Sequence, residues 1–568
     1  MKLIAISLCL RAVAGQIRSV ALLGSALICL GACLGQQASA AQRLATTPPM
    51  GWNDWAHYQC NFTAQTILAN ARALVRTGLA ARGYDTVTID DCWMLTSRDS
   101  HGDLQVDPRR FPDGMRPVAT AIHALGLKFG IYEDAGYATC GRYAGSGAGK
   151  NGGEPHFAAD ARLFASWGVD YLKLDGCNIQ PAAGAAGNAA YRAAYQAESR
   201  ALSQVGRPIV FSESAPAYFQ GTPDWYDVLS WVRSYAQLWR EGTDVQVYDD
   251  KQPDQSRFRS VMWNYDYNLQ LGRFQTPGNW NDADFIIGGD HGMTLAETRS
   301  QLALWSMMSA PLILSSNLEQ LSPAALAVLG NKAVLAVDQD PLGRMATLLR
   351  RSASMDLLLK PLQDGDYVMA VLDRSPAALH IELTPRDLGF SGDRCRFDVR
   401  DLWTDAQHAS VARIAAQIGT HDTGIWKILP AAACGVPARM GAITRIVPDV
   451  PESRQDSQDY TRCLAAPGAL RECEGTAAES WRIMPDGTLR SAQKCLTQIG
   501  GSAALTRCGS SGSQRWTYTL LGNLINRRSH LCLTGPASGR AAVQACGHNL
   551  ASQIWTLPND ETSGAGMH

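Results

Sequence analysis

The sequence predicts an α/β chain that opens with a (β/α)8 barrel over about 270 residues and continues into two all-β modules. Three observations carry that prediction. Short apolar runs alternate with helix-like stretches as far as about residue 316. After Pro341 the texture changes to strand-like alternation with little helix, and the last hundred residues or so repeat internally three times. At 568 residues the chain is longer than a single domain.

In chain order, the apolar runs of the first region are 86–89, 127–132, 171–174, 208–211, 228–232 and 311–314. Between them, 64–82 and 189–205 carry Ala, Leu and Arg at helical spacing. Alternating strands and helices mean parallel pairing, and ~250 residues is the usual size of an eight-stranded barrel. Carboxylates follow the strands in series: Asp90 and Asp91, Glu133 and Asp134, Asp175, then Glu213. Barrel active sites lie at the C-terminal strand ends, so this series predicts a catalytic mouth. Lys173 and Asp175 are two apart on one strand and share a face. The ammonium is expected to keep Asp175 ionised, as a nucleophile requires.

A net charge of −1 with 46% hydrophobic and 18% charged residues offers no basic surplus for nucleic acid or an anionic membrane. Arg11 and Arg18 precede an apolar run at 20–34 and the small residues Ala38-Ser39-Ala40. That layout reads as a secretory signal over 1–40, cleaved after Ala40, and predicts a secreted or periplasmic protein. Gly31 fits a lipoprotein box poorly, so no lipid anchor is expected at Cys33. No later segment reaches the ~20 apolar residues that span a bilayer. Loss of Cys9, Cys29 and Cys33 leaves twelve of the fifteen cysteines. An even number in an oxidising compartment predicts disulfides, and without Cys-x-x-Cys or zinc-spaced histidines no metal is expected.

Residues 357–429 alternate as strands do, for example Tyr367-Val368-Met369-Ala370-Val371-Leu372. They predict a small antiparallel β-sandwich in which Cys395 and Cys434 could pair. A linker rich in Asp, Ser, Pro and Gln follows. Cys463-Leu464, Cys495-Leu496-Thr497 and Cys532-Leu533-Thr534 then open three similar units. Each holds a second cysteine (Cys473, Cys508, Cys546) and closes near a tryptophan: Trp481, Trp516 or Trp555. This pattern resembles the ricin-B-type β-trefoil lectin fold, whose repeats close with Gln-x-Trp. Gln514-Arg515-Trp516 and Gln553-Ile554-Trp555 keep the motif, and Glu479-Ser480-Trp481 departs from it. The resemblance implies a β-trefoil able to hold a second glycan. The expected organisation is signal 1–40, barrel 41–345, sandwich 346–440, linker 441–460 and trefoil 461–560.

Within the barrel region the informative segments are Thr47-Pro48-Pro49-Met50-Gly51-Trp52, Ile89-Asp90-Asp91-Cys92-Trp93 and Gly130-Ile131-Tyr132. They continue with Lys173-Leu174-Asp175-Gly176-Cys177, Trp239-Arg240 with Asp244, Trp280-Asn281-Asp282-Ala283-Asp284, and the stretch from Leu304 to Leu312. In this order they resemble glycoside hydrolase family 27, the α-galactosidases and α-N-acetylgalactosaminidases, over about residues 46–345. The resemblance implies a retaining exo-glycosidase removing terminal α-galactosyl residues from an oligosaccharide or polysaccharide. Asp175 is then the nucleophile and Asp244 the general acid/base; such a pair stands ~5–5.5 Å apart and needs no cofactor. Asp90 and Asp91 would accept the 4- and 6-hydroxyls, and Trp52 would form the pocket's apolar wall. Tyr132, Lys173, Tyr218 and Arg240 fall at further sugar-binding positions. The resemblance also pairs Cys60 with Cys92 and Cys140 with Cys177.

Two registers are open in Ser212-Glu213-Ser214-Ala215-Pro216-Ala217-Tyr218. Aligned on the proline, Ser214 and Ala217 stand at the sugar's 2-position and leave room for an acetamido group, as in the N-acetylgalactosaminidases. Shifted by one, Glu213 reads a plain 2-hydroxyl. A rival from another class is an inactive, purely carbohydrate-binding barrel, against which the presence of both Asp175 and Asp244 argues. The segment 145–151 is glycine-rich but lacks the residues of a phosphate loop, and is expected to be a mobile surface loop.

Overall fold

The computed structural model describes residues 43–149, 152–181, 187–245, 253–446 and 461–558. The signal segment and most of the expected linker lie outside the described residues. Eight parallel strands form the first region: β1 (Met50–Asn53), β2 (Thr86–Ile89), β3 (Lys128–Asp134), β4 (Tyr171–Asp175), β5 (Val210–Glu213), β6 (Leu238–Arg240), β7 (Trp280–Asp282) and β8 (Leu312–Leu314). They pair in sequence order, β1 pairs β8, and a parallel bridge between Ile286 and Leu314 joins the chain just beyond β7 to β8. Covered by helices outside and filled by side chains inside, most of these strands are buried on both faces, which is why they read as apolar runs rather than alternating ones.

The helices follow their spacing. Ala64–Arg76 buries Ile67, Ala71 and Leu74, at i, i+4 and i+7, and ends just before Gly78, whose φ of 81° suits glycine. Leu295–Met308 starts at a capping box in which Thr294 and Glu297 satisfy each other's backbone N–H groups. One sequence expectation fails: 228–232 is not a strand but the end of helix Trp225–Val232. Asp227 and Ser230, three apart, are its partly exposed positions, while Val228, Leu229, Trp231 and Val232 are buried. A short apolar run cannot separate helix from strand by pattern alone, and the true sixth strand is only three residues long. The glycine-rich segment departs from expectation at its start, where Gly145 and Ser146 are buried, Gly145 against the Gly136 carbonyl; 148–149 lie at the surface and 150–151 lie outside the described residues.

The second region is antiparallel. Six strands, β9 (Thr347–Arg351), β10 (Met355–Pro361), β11 (Tyr367–Asp373), β13 (Phe397–Asp401), β14 (Gln407–Val411) and β16 (Thr423–Pro430), form one sheet. The pair β12 (Leu379–Leu383) and β15 (Ile414–Ile418) covers it over a core that includes Leu357, Met369, Phe397 and Trp426. Cys395 and Cys434 are bonded. The sandwich docks on helix Leu295–Met308 through Ser300, which hydrogen-bonds Thr423, and an Arg299–Asp422 ion pair. Residues 440–446, all but the first of which were expected as linker, form two short strands, Met440–Ala442 and Thr444–Ile446.

The C-terminal region is β-rich and repeats as its cysteines suggest, with bonds Cys463–Cys473, Cys495–Cys508 and Cys532–Cys546. Trp481, Trp516 and Trp555 are buried, and their indole N–H groups donate to the carbonyls of Leu464, Leu496 and Leu533. Gln514 and Gln553 each accept a glycine N–H and donate to a threonine hydroxyl. Glu479 replaces that amide in the first unit and accepts three backbone N–H groups at 474–476. The region is anchored to the barrel: Arg273 donates to the Leu520 carbonyl at 2.8 Å, and Asn549 to Asp224 at 3.1 Å.

Candidate active site

The C-terminal strand ends surround a cavity of about 300 Å³. Asp90 and Asp91 from the end of β2, Tyr132 from β3, and Lys173 and Asp175 from β4 line one side. Ser214, Ala217 and Tyr218 after β5, and Arg240, Thr243 and Asp244 at and after β6, line the other. A larger cavity, about 460 Å³, lies where barrel, sandwich and C-terminal region meet, and no carboxylate lines it. The chemistry therefore sits in the smaller one.

Asp175 is held by three donors. The Tyr218 hydroxyl gives to Oδ1 at 2.6 Å, the Tyr132 hydroxyl to Oδ2 at 3.1 Å, and the Gly176 N–H to Oδ1 at 2.9 Å. Burial, and after it the charge of Asp175, raise both tyrosines well above their ordinary range, so they remain donors. The Cys140–Cys177 disulfide lies alongside, Cys140 Sγ being 3.5 Å from Asp175 Oδ2. Cys60–Cys92 is bonded as well.

The lysine expected to compensate Asp175 is committed elsewhere. Lys173 Nζ pairs with Asp90 Oδ2 at 2.7 Å and stands over the rings of Phe285 and Tyr132. Burial opposes the ammonium's charge, but Asp90 and then Asp175 outweigh it and raise its pKa. Asp90 also accepts from Asn53 Nδ2 at 2.7 Å and from the Asp91 N–H at 2.9 Å. Asp91 accepts the N–H groups of Cys92 and Gly141, yet burial pushes its carboxyl up to about 6. The two carboxylates thus point into the pocket with different charge environments: one ion-paired, one held by backbone amides and the Thr139 hydroxyl.

Across the cavity Arg240 contacts Asp244 Oδ1 at 3.0 Å and Asp284 Oδ1 at 2.9 Å. Asp284 is buried, whereas the Asp244 side chain is 62% exposed. Burial pushes the Asp284 carboxyl up to about 7 against the pull of Arg240. Two expected site residues lie off the pocket wall. Trp52 is fully buried, its indole N–H donating to the Ser316 carbonyl; Trp55, three residues on, provides the aromatic wall. Glu213 is fully buried on the side of β5 away from the cavity, because strand alternation turns Ser212 inward and Glu213 toward the helices. Sequence reasoning missed Trp55, Asp284 and the supporting Asp54, which accepts the Asp90 N–H at 2.7 Å. The signal was present in Asp54-Trp55, directly after β1, and in Asp282-Ala283-Asp284 at the end of β7.

A carboxylate-lined pocket at the mouth of such a barrel fits a hydrolase of glycosidic bonds, and the relatives of the chain are of that class. The family model described as Alpha galactosidase A matches residues 47–340, Alpha galactosidase C-terminal beta sandwich domain matches 352–428, and Ricin-type beta-trefoil lectin domain matches 456–555. Alpha-galactosidase A of Aspergillus niger is 36% identical over 528 residues, covering 91% of this chain and 92% of that protein. Alpha-N-acetylgalactosaminidase of Gallus gallus is 36% identical over 58% of this chain and 80% of its own length. The crystal structure of alpha-galactosidase I from Mortierella vinacea is 30% identical with a TM-score of 0.61, covering 69% of this chain and all of that one (100%). The chain belongs to the alpha galactosidase family, glycoside hydrolase family 27, and carries a sandwich and a β-trefoil behind its catalytic barrel. Among the described residues no helix is long and apolar enough to cross a membrane.

Proposed function

We propose that the protein is an exported, retaining exo-α-galactosidase that uses Asp175 as nucleophile and Asp244 as general acid/base. The observation that carries this is the orientation of Asp175 by Tyr132 and Tyr218 in a pocket of about 300 Å³ that Asp244 also lines. A pocket of this kind accepts the non-reducing end of a chain, as an exo-enzyme requires. Asp90 and Asp91 take the 4- and 6-hydroxyls, with Lys173 ion-paired to Asp90. Asp175 forms the bond to the anomeric carbon while the bond to the leaving oxygen breaks and Asp244 gives that oxygen its proton. Asp244 then takes a proton from water, whose oxygen displaces Asp175. Export through a signal cleaved after Ala40, the boundaries at 345, 440 and 460, and a second glycan on the trefoil belong to the same proposal.

A second reading concerns the sugar. Ser214 and Ala217 line the pocket while Glu213 faces away from it. Small residues there favour the register with room for a 2-acetamido group, and the Gallus gallus relative carries the corresponding name. Initial rates on aryl α-galactoside and aryl α-N-acetylgalactosaminide, with Asp175→Ala as control, test both readings. Turnover of the galactoside that the variant abolishes is the expected result. Faster turnover of the acetamido sugar would reassign the substrate. Equal rates for wild type and variant would overturn the catalytic reading.

A further inference from the structure

We propose that His57, Asp290 and His291 form a binding site for a divalent metal ion of the zinc class, and that the ion clasps the segments after β1 and β7. None of the three lines the catalytic pocket, and the inference does not rest on the roles given to Asp175 and Asp244. His57 stands in the short helix Trp55–Tyr58 after β1, two residues beyond the pocket wall at Trp55. Asp290 and His291 follow β7. One ligand atom from each residue lies within 4.8 Å of the others. The sequence shows no zinc spacing because His57 and Asp290 are 233 positions apart, and only the closed barrel brings their segments together.

The His291 ring carries the argument. Its side chain is 10% exposed, yet Nε2 is buried with no hydrogen-bond partner. Such an orphaned nitrogen is costly in the ion-free protein, and a metal bond would satisfy it. A hydrogen bond to the main chain of Ser315 holds the same ring, the support that metal-bound imidazoles commonly have. Asp290 is preset beside it: Oδ1 accepts the His291 N–H at 2.7 Å and Oδ2 the Asn317 N–H at 3.0 Å. That Oδ2 is 2.6 Å from His57 Nδ1 and 3.9 Å from His291 Nε2. Around a tetrahedral zinc ion, ligand atoms stand about 3.3 Å apart. The two spacings bracket that value, so shifts of under about 1 Å let the ion take the place of the proton between His57 and Asp290. Solvent reaches the site, the His57 and Asp290 side chains being 27% and 24% exposed. Arg257 is a neighbouring cation whose guanidinium donates to the His291 carbonyl. Its charge disfavours hard cations held by charge alone and leaves ions that bond imidazole nitrogen.

Calorimetric titration of zinc chloride into the whole, untagged, EDTA-treated protein tests the site. Expected are one zinc ion per chain, a higher Tm on binding, and no binding of magnesium, which prefers oxygen ligands and keeps its water. His57→Phe keeps a ring against Tyr58 without the nitrogens. His291→Asn suits the left-handed backbone there, with φ at 56°. Each should weaken zinc binding by more than roughly 100-fold, since loss of a ligand costs more than loss of its support. His530→Asn, the same change at an exposed left-handed histidine of the trefoil, should leave binding intact. Asp175→Ala should bind zinc as the wild type does, so failure of the catalytic reading and failure of this one are read separately. If neither histidine variant folds, anomalous diffraction at the zinc edge from wild-type crystals soaked in zinc decides. A peak among the three side chains is the expected result. A peak only elsewhere, no zinc uptake by the wild type, or uptake that survives both histidine variants would overturn the proposal.

Discussion

At the scale of single residues, the pocket shows how a cation two positions from Asp175 comes to serve a different carboxylate. Lys173 and Asp175 share a face of β4, but the lysine reaches across to Asp90, 83 positions earlier in the chain. Asp175 instead relies on neutral donors, which orient it and leave its nucleophilicity intact. The Lys173–Asp90 pair is buried, so removing one partner leaves an uncompensated charge. Lys173→Met is expected to cost about 3–5 kcal/mol of stability. It should also raise KM more than it lowers kcat, because Asp90 then loses the ammonium that holds its carboxylate in place beside the sugar hydroxyl. Thermal unfolding and steady-state kinetics on the aryl galactoside read both effects, and an unchanged KM would remove Lys173 from the binding site.

At the scale of elements, the turn after β4 is where backbone and chemistry meet. Gly176 follows Asp175, and a Cβ there would lie 2.8 Å from the Tyr195 hydroxyl, 2.9 Å from the Tyr218 ring and 3.0 Å from the Tyr191 ring. The Tyr191 hydroxyl donates to the Gly176 carbonyl at 2.8 Å, so helix Asn188–Gln204 buttresses the turn from behind. Gly176→Ala should push Tyr218 off Asp175 and lower kcat roughly 100-fold, in keeping with the cost of a misplacement of about 1 Å. Circular dichroism is expected to stay native. Wild-type kcat in a folded Gly176→Ala variant would show that Tyr218 does not orient the nucleophile.

At the scale of the whole molecule, the three regions are locked together by buried charge. Arg351 of the sandwich reaches Asp266 of the barrel at 2.7 Å, Asp356 at 2.8 Å and Thr461 of the trefoil at 2.9 Å. The trefoil is thus fixed to the catalytic body. A second global feature is the set of buried carboxyls whose pKa burial raises: Glu133, Glu198, Glu213 and Glu241, with Asp91 at about 6. A raised folded pKa gives stability that is complete below the ordinary carboxylate value and is lost as pH rises through the raised one. Asp290, depressed by its hydrogen bond from His57 despite burial, works oppositely and loses its contribution in acid. Tm should therefore peak at weakly acid pH and fall between about pH 5 and pH 8. Glu198→Gln should flatten that fall, because both Glu198 carboxylate oxygens are buried without a hydrogen-bond partner. A Tm that rises across this interval would reject the account.

Five of the eight barrel strands, the acidic strand ends, the threefold repeat and the family were legible in the chain, because each is a local pattern: an apolar run, a residue after a strand, a cysteine spacing. Asp175, Asp90 and Asp91 announced themselves in the same way. What needed the folded molecule was every property set by closure of the barrel. Pairing of Lys173 with Asp90, replacement of Trp52 by Trp55 at the pocket wall, and the turning of Glu213 away from the cavity depend on which face each strand presents once eight strands curl together. The helix at Trp225–Val232 was hidden for a related reason, since a short run buried all round carries no period of its own. Local sequence fixes which residues stand at the mouth; distances between residues far apart in the chain, and the dryness around them, decide which of them touch and what charge they carry.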